Sequence, residues 1–207
     1  TDRQIRDEVM TLLLAGHETT ANLLTWTFYA LARHPQVRDQ VEREIDQVLG
    51  DRPPTSDDLP KLPYLASVVD EVMRLWPPAY TMGRQALRAT SIGGVAIPRG
   101  AAVMVNIWGI HRRPDVYPDP ERFDPSRMTI EAKKARAKGA YLPFGAGPRV
   151  CIGNHFALME AQLALATIVS RVRVELASDR PAVPEPMITL RPKHGLPAVI
   201  YSRKRAR

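Results

Sequence analysis

The stretch Leu142-Pro143-Phe144-Gly145-Ala146-Gly147-Pro148-Arg149-Val150-Cys151-Ile152-Gly153 holds the only cysteine of the chain. A lone cysteine cannot close an internal disulfide, and no neighbouring Cys or His gives it zinc-ligand spacing. Before it lies a turn that Pro148 stiffens and two glycines make permissive; after it an apolar helical run begins near Ile152. A cysteine at a helix N-terminus gains thiolate character from unpaired backbone N–H groups and the positive end of the dipole.

The ordinary reading of a single cysteine is burial as a small hydrophobe. The neighbours of Cys151 weigh against it. Gly145 and Gly147 let the backbone approach a flat ligand closely. Phe144 offers an aromatic cover, and Arg149 places a cation where the acidic edge of a ligand would sit. The string resembles the cysteine-loop signature of the cytochrome P450 superfamily, Phe-Gly-x-Gly-x-Arg-x-Cys-x-Gly, with every fixed position matched. That resemblance implies heme (iron protoporphyrin IX), with Cys151 as the iron ligand and Phe144, Gly145, Arg149 and Gly153 around it. A thiolate on a tight loop suits the axial position of such an iron.

Composition is that of a globular chain: 207 residues, 44% hydrophobic and 25% charged, without a low-complexity tract. The net charge of +7 invites a nucleic-acid reading, but basic residues are not interleaved with aromatics and no reader motif is present. The basic stretch Lys133, Lys134, Arg136 and Lys138 reads as a solvated loop, and Arg203 to Arg207 as a frayed end. The longest apolar run, near Met10 to Ala15, is far short of the roughly 20 residues needed to span a bilayer. The N-terminus shows no secretory signal pattern. A single cysteine fits a reducing, cytoplasmic setting.

Periodicity predicts one long buried helix over residues 1–32, with Ile5, Val9, Leu12, Leu13, Leu23, Leu24 and Phe28 at mostly helical spacing. Pro35 opens a second helix to about Leu49, and Ser56 or Asp57 caps a short turn after the Gly50–Pro54 break. A third helix runs from Pro63 to Leu75 and stops at Pro77-Pro78. Short strands follow from Tyr80 to Ile107, then a proline-dense meander over 114–148, then a last helix over 152–172. Residues 173–201 read as short strands. The fold class is mainly α with a small β region.

The first helix contains Ala15-Gly16-His17-Glu18-Thr19-Thr20. A glycine inside a helix costs about 1 kcal/mol relative to alanine. Small residues there usually mean a packed neighbour. Alternatively, Ala15 and Gly16 form a smooth, low-profile strip and Thr19 loosens the turn by bonding back to the Ala15 carbonyl, leaving a shallow groove beside the Glu18 carboxylate. The string matches the superfamily's acid–alcohol motif, whose groove accommodates dioxygen, with Glu18 and Thr19 as the catalytic proton-handling pair.

Glu71 and Arg74 share a helix face, which alone describes a surface ion pair worth under about 1 kcal/mol. Standing before Leu75-Trp76-Pro77-Pro78, they resemble the superfamily's Glu-x-x-Arg element, which pairs with a second arginine in the meander. Arg122 in Pro120-Glu121-Arg122-Phe123 is the tempting partner. The longer frame Pro120 to Met128 fits the family's Pro-x-x-Phe-x-Pro-x-Arg-Phe except at Met128, and it selects Arg127, 24 residues before Cys151. Arg84 resembles an arginine that reaches a heme propionate; its ordinary reading is an exposed strand charge.

The resemblance covers the whole chain in order. It implies a single incomplete domain over residues 1–207, the C-terminal half of the cytochrome P450 fold, with heme between the long groove helix and the final helix. It implies a monooxygenase that inserts one atom of O2 into an apolar organic substrate with electrons from a ferredoxin- or flavin-type donor. Substrate-facing positions are Ala15, Ala79, Met82 and Ile188, and the basic stretch at 133–138 is the donor's landing site. Two other readings stand beside it: a peroxide-using heme-thiolate enzyme, and a non-catalytic heme-binding or apo fragment. None of the five histidines forms a metal pair, and His111 receives no role.

Overall fold

A computed structural model describes residues 1–203; the remaining tail residues, including most of the basic C-terminal run, lie outside the described residues. The chain opens with α1 (Asp2–Arg33), begun by a capping box in which Thr1 and Gln4 satisfy each other's backbone. Helix α2 (Pro35–Leu49) follows with proline at its first position. A 3-10 turn (Ser56–Lys61) leads to α3 (Pro63–Leu75). Thr55 caps that turn, not Ser56 or Asp57: Asp58 accepts from the Thr55 N–H and hydroxyl, both at 3.0 Å.

The β region is a set of antiparallel two-stranded ribbons. Strand β1 (Thr81–Gln85) pairs with β4 (Ala102–Asn106), and β2 (Thr90–Ile92) with β3 (Val95–Ile97). After the short α4 (Ile107–Ile110) the meander contains a 3-10 turn (Pro125–Met128), α5 (Ile130–Ala135) and a second 3-10 turn (Gly147–Arg149). Helix α6 (Asn154–Val169) is shorter at both ends than the expected 152–172. Ile152 is 92% exposed and outside the helix, so its apolarity signals no helical face. Strand β5 (Val172–Leu176) pairs with β8 (Ala198–Ser202), and β6 (Pro184–Pro186) with β7 (Leu190–Pro192).

One core joins the second half of α1 to α2, α3 and α6. At its centre Trp26 stacks on Trp76 with centroids 5.1 Å apart, and the Trp26 indole N–H donates to the Leu190 carbonyl at 3.0 Å. The expectation that α1 is buried along its length fails. Burial begins at Thr20, whereas Ile5, Val9, Leu12 and Leu13 are exposed, because the helices and strands that pack on α1 meet its C-terminal half. Arg203 is not frayed either: it sits 3.1 Å from Glu42 and also pairs with Asp46, tying the end of β8 to α2.

Candidate functional site

Two glycines in the left-handed region shape the Cys151 loop. Gly145 has φ +75° and Gly147 φ +74°, a conformation that costs an L side chain about 1–2 kcal/mol. A Cβ on Gly145 would stand 2.9 Å from Met82 Sδ, so the loop backbone and the β1 side chain fit closely. The Gly145 N–H donates to Leu142 O, and the Cys151 N–H donates to Phe144 O, both at 3.0 Å. These bonds fold the loop back on itself and set Phe144 opposite Cys151. Phe144 is half-buried and packs on the core. Cys151 is exposed with a free thiol. Gly153, the N-cap of α6, gives that helix no side-chain cap.

On α1, the Thr19 hydroxyl donates to the Ala15 carbonyl at 2.7 Å, with a longer contact of 3.4 Å to Gly16 O. Ala15 and Gly16 are exposed, and a Cβ on Gly16 would meet nothing within 4 Å. Among the described residues, therefore, no packed neighbour explains this glycine; the strip is open. Glu18 has a partner that sequence reasoning missed. The Thr189 hydroxyl donates to Glu18 Oε1 at 2.6 Å, and the Asn22 amide donates to Thr189 Oγ1 at 2.8 Å. Nothing local marks this link, since 171 positions separate Glu18 from Thr189.

Arg84 lies exposed on β1 and donates to the adjacent Gly83 carbonyl at 2.8 Å; Arg149 is exposed in the Gly147–Arg149 3-10 turn. Ala79 is exposed, and Ile188 stands 92% exposed before β7. Met82 is half-buried, its sulfur turned onto Gly145. The surface thus offers a free thiol, exposed Ile152 and Phe156 beside it, a bare strip on α1 and two guanidiniums. Those are the residue types that holding a heme calls for: a thiol for its iron, apolar side chains for its flat face and guanidiniums for its acidic edge.

The Glu71–Arg74 pair is fully buried, not a surface pair. Arg74 Nε and Nη2 donate to Glu71 Oε2 and Oε1, each at 2.8 Å. The same guanidinium donates to the carbonyls of His111 (3.0 Å), Pro120 (2.7 Å) and Arg122 (3.1 Å). Glu71 also accepts from the Asp124 N–H at 3.0 Å, and Arg127 Nε lies 3.8 Å from its Oε1. The Arg122 side chain points elsewhere, pairing with Asp124. Arg127 is therefore the meander arginine that faces the pair. Burial pushes the Glu71 carboxyl above its ordinary value, with Arg74 and the Asp124 N–H opposing that rise.

His111, which sequence reasoning left without a role, connects this cluster to the cysteine loop. Its ring is fully buried, and Nε2 accepts the Leu142 N–H at 2.8 Å. The ring lies against Tyr141 with centroids 5.1 Å apart. Burial above all lowers its pKa to about 4. The basic stretch is less free than its sequence implies. Lys133 pairs with Asp70, and the half-buried Arg136 donates to the Arg127 carbonyl and lies over the rings of Tyr117 and Tyr141. Lys134 and Lys138 remain exposed. No helix of the described residues is long and apolar enough to cross a membrane.

The family model described as Cytochrome P450 matches residues 1–198. Cyclooctat-9-en-7-ol 5-monooxygenase of Streptomyces melanosporofaciens is 43% identical over 173 residues, covering 84% of this chain and 38% of the relative. Pentalenene oxygenase of Streptomyces avermitilis is 39% identical over 189 residues, covering 91% of this chain and 42% of the relative. The crystal structure of the cytochrome P450DA heme domain superposes with a TM-score of 0.92 at 37% identity, over 99% of this chain and 46% of that one. The chain thus spans less than half the length of these similar proteins.

Proposed function

From the premise that the chain belongs to the cytochrome P450 family, whose cofactor is heme, we propose that it is the C-terminal portion of a heme-thiolate monooxygenase domain. The observation that carries this reading is Cys151: the only cysteine, exposed, and held in a loop closed by its own N–H bond to Phe144. Heme, when bound, supplies the activation of dioxygen; the protein binds, orients and controls protons. Cys151 would hold its iron, and Arg84 and Arg149 would pair with its carboxylates. Glu18 relays protons from solvent and Thr19 positions the water that carries them, beside the open strip at Ala15 and Gly16.

The substrate is an apolar organic molecule that meets Ala15, Ala79, Met82 and Ile188. The similarity to proteins named for oxygenating pentalenene and cyclooctat-9-en-7-ol supports that class. Electrons come from a ferredoxin- or flavin-type donor, attracted to the basic surface that Lys134 and Lys138 leave open. A free thiol in the ligand position fits the reducing cytoplasm.

The test is the absorption spectrum of the purified, heme-supplemented chain, reduced and treated with carbon monoxide. A strongly red-shifted Soret band that Cys151→Ser abolishes is the expected result. Absence of that band in the wild-type chain would refute heme-thiolate ligation by these 207 residues and leave the fragment reading.

A further inference from the structure

We propose that Thr189 is a positioning residue for the Glu18 carboxylate, itself oriented by Asn22, and that it fixes which carboxylate oxygen serves the proton relay. This rests on the monooxygenase reading above. A hydroxyl has one proton to give. Thr189 Oγ1 accepts from the Asn22 amide at 2.8 Å, so its proton is directed to Glu18 Oε1, 2.6 Å away. That distance is in the range of an O–H donor on an ionised carboxylate. With Oε1 engaged by Thr189, the relay is assigned to Oε2, the oxygen Thr189 leaves open.

The geometry is built, not incidental. Glu18 and Asn22 are one turn apart on α1 and present the same face, and Thr189 bridges them from the segment before β7. Thr189 is 6% exposed, whereas Ile188 next to it is 92% exposed. The segment is pinned on both sides of the bridge. The Tyr80 hydroxyl donates to Met187 O at 2.8 Å, the Leu190 N–H donates to Pro78 O at 3.0 Å, and the Trp26 indole holds Leu190 O. A hydroxyl held this firmly fixes a carboxylate on an otherwise exposed helix face without removing it from water.

The experiment uses infrared difference spectroscopy on the chain with 13C-labelled glutamate, the Glu18 bands being assigned with Glu18→Gln. This readout requires neither heme nor turnover. Thr189→Val keeps the shape and removes the hydroxyl; it is expected to shift the Glu18 carboxylate bands, and Thr189→Ser to return them. Asn22→Ala keeps the hydroxyl but releases its direction, and is expected to broaden the same bands. In the heme-loaded protein, supplied with a plant-type ferredoxin and its reductase as the probe donor, Thr189→Val is expected to raise peroxide released per oxygen consumed. Glu18 bands unchanged in Thr189→Val, or shifted alike in Val and Ser, overturn the proposal. The reduced carbon monoxide spectrum reports separately on the heme-thiolate reading.

Discussion

His111 makes acid stability a direct test of the buried connection between the α3 ion pair and the cysteine loop. Leu142 N–H can only donate, so Nε2 of His111 must be an unprotonated acceptor at 2.8 Å. Adding a proton there sets donor against donor inside the core, beside the Arg74 and Arg112 guanidiniums. The folded protein accordingly keeps the ring neutral down to about pH 4, while the unfolded chain protonates it near 6.5. Between those values the unfolded state binds the proton that the folded state refuses, so stability is full above 6.5 and falls as pH drops toward 4. The gap corresponds to about 3 kcal/mol, a large share of the roughly 5–15 kcal/mol that holds a domain together. His111→Gln retains an acceptor oxygen and cannot be protonated. Urea unfolding at pH 7, 6, 5 and 4 is expected to show wild type losing about 3 kcal/mol more than the variant over that range. His34 and the carboxylates titrate in both proteins and cancel in the difference. Parallel losses in the two proteins would refute the reasoning.

Other outcomes follow from the same contacts. Glu71→Gln leaves the Arg74 charge buried without its counterion and is expected to cost about 3–5 kcal/mol by urea unfolding at neutral pH. Arg122→Ala, which removes only a partly exposed pair with Asp124, is expected to cost under about 1 kcal/mol; a reversed order would sink the choice of Arg127 as the partner. Gly16→Ala, where a Cβ meets nothing within 4 Å, is expected to stabilise α1 by about 0.5–1 kcal/mol. Gly145→Ala adds a Cβ at φ +75° and 2.9 Å from Met82 Sδ, and is expected to destabilise by about 1–3 kcal/mol. Thermal unfolding by circular dichroism measures both, and equal effects would remove the distinction between an open strip and a strained loop.

What the sequence made legible is what local physics encodes. The starts of α2 and α3 were readable because proline stands at the first position of each. The Thr55 cap is encoded as Thr followed three residues later by Asp, but Ser56 and Asp57 beside it are cap-forming types as well, so residue type alone does not single it out. The start of α6 was misplaced because Gly153 has no side chain to announce a cap and exposed Ile152 mimics a helical face. Burial of Glu71 and Arg74 was invisible: the same spacing on a surface helix has the same sequence, and only the meander laid over α3 distinguishes the cases. The bridge from Thr189 to Glu18 carries no periodic or motif signal at all.

The buried ion pair also explains how a position on α3 bears on a sulfur atom it does not touch. A buried pair is weak evidence for stability, because desolvation offsets much of its Coulomb attraction. Its contribution here is placement. Arg74 gathers the carbonyls of His111, Pro120 and Arg122, which no helix or strand would satisfy in an irregular meander. His111, fixed through its carbonyl, holds the Leu142 N–H with its ring. The Leu142 carbonyl then holds Gly145, and the Phe144 carbonyl holds Cys151. Each link is an ordinary hydrogen bond, and together they run from the core to the Cys151 backbone. A loop whose glycines would otherwise leave it free is thereby given one shape, so substitutions at Glu71, Arg74 and His111 are expected to alter the reduced carbon monoxide spectrum of the heme-supplemented chain without touching Cys151.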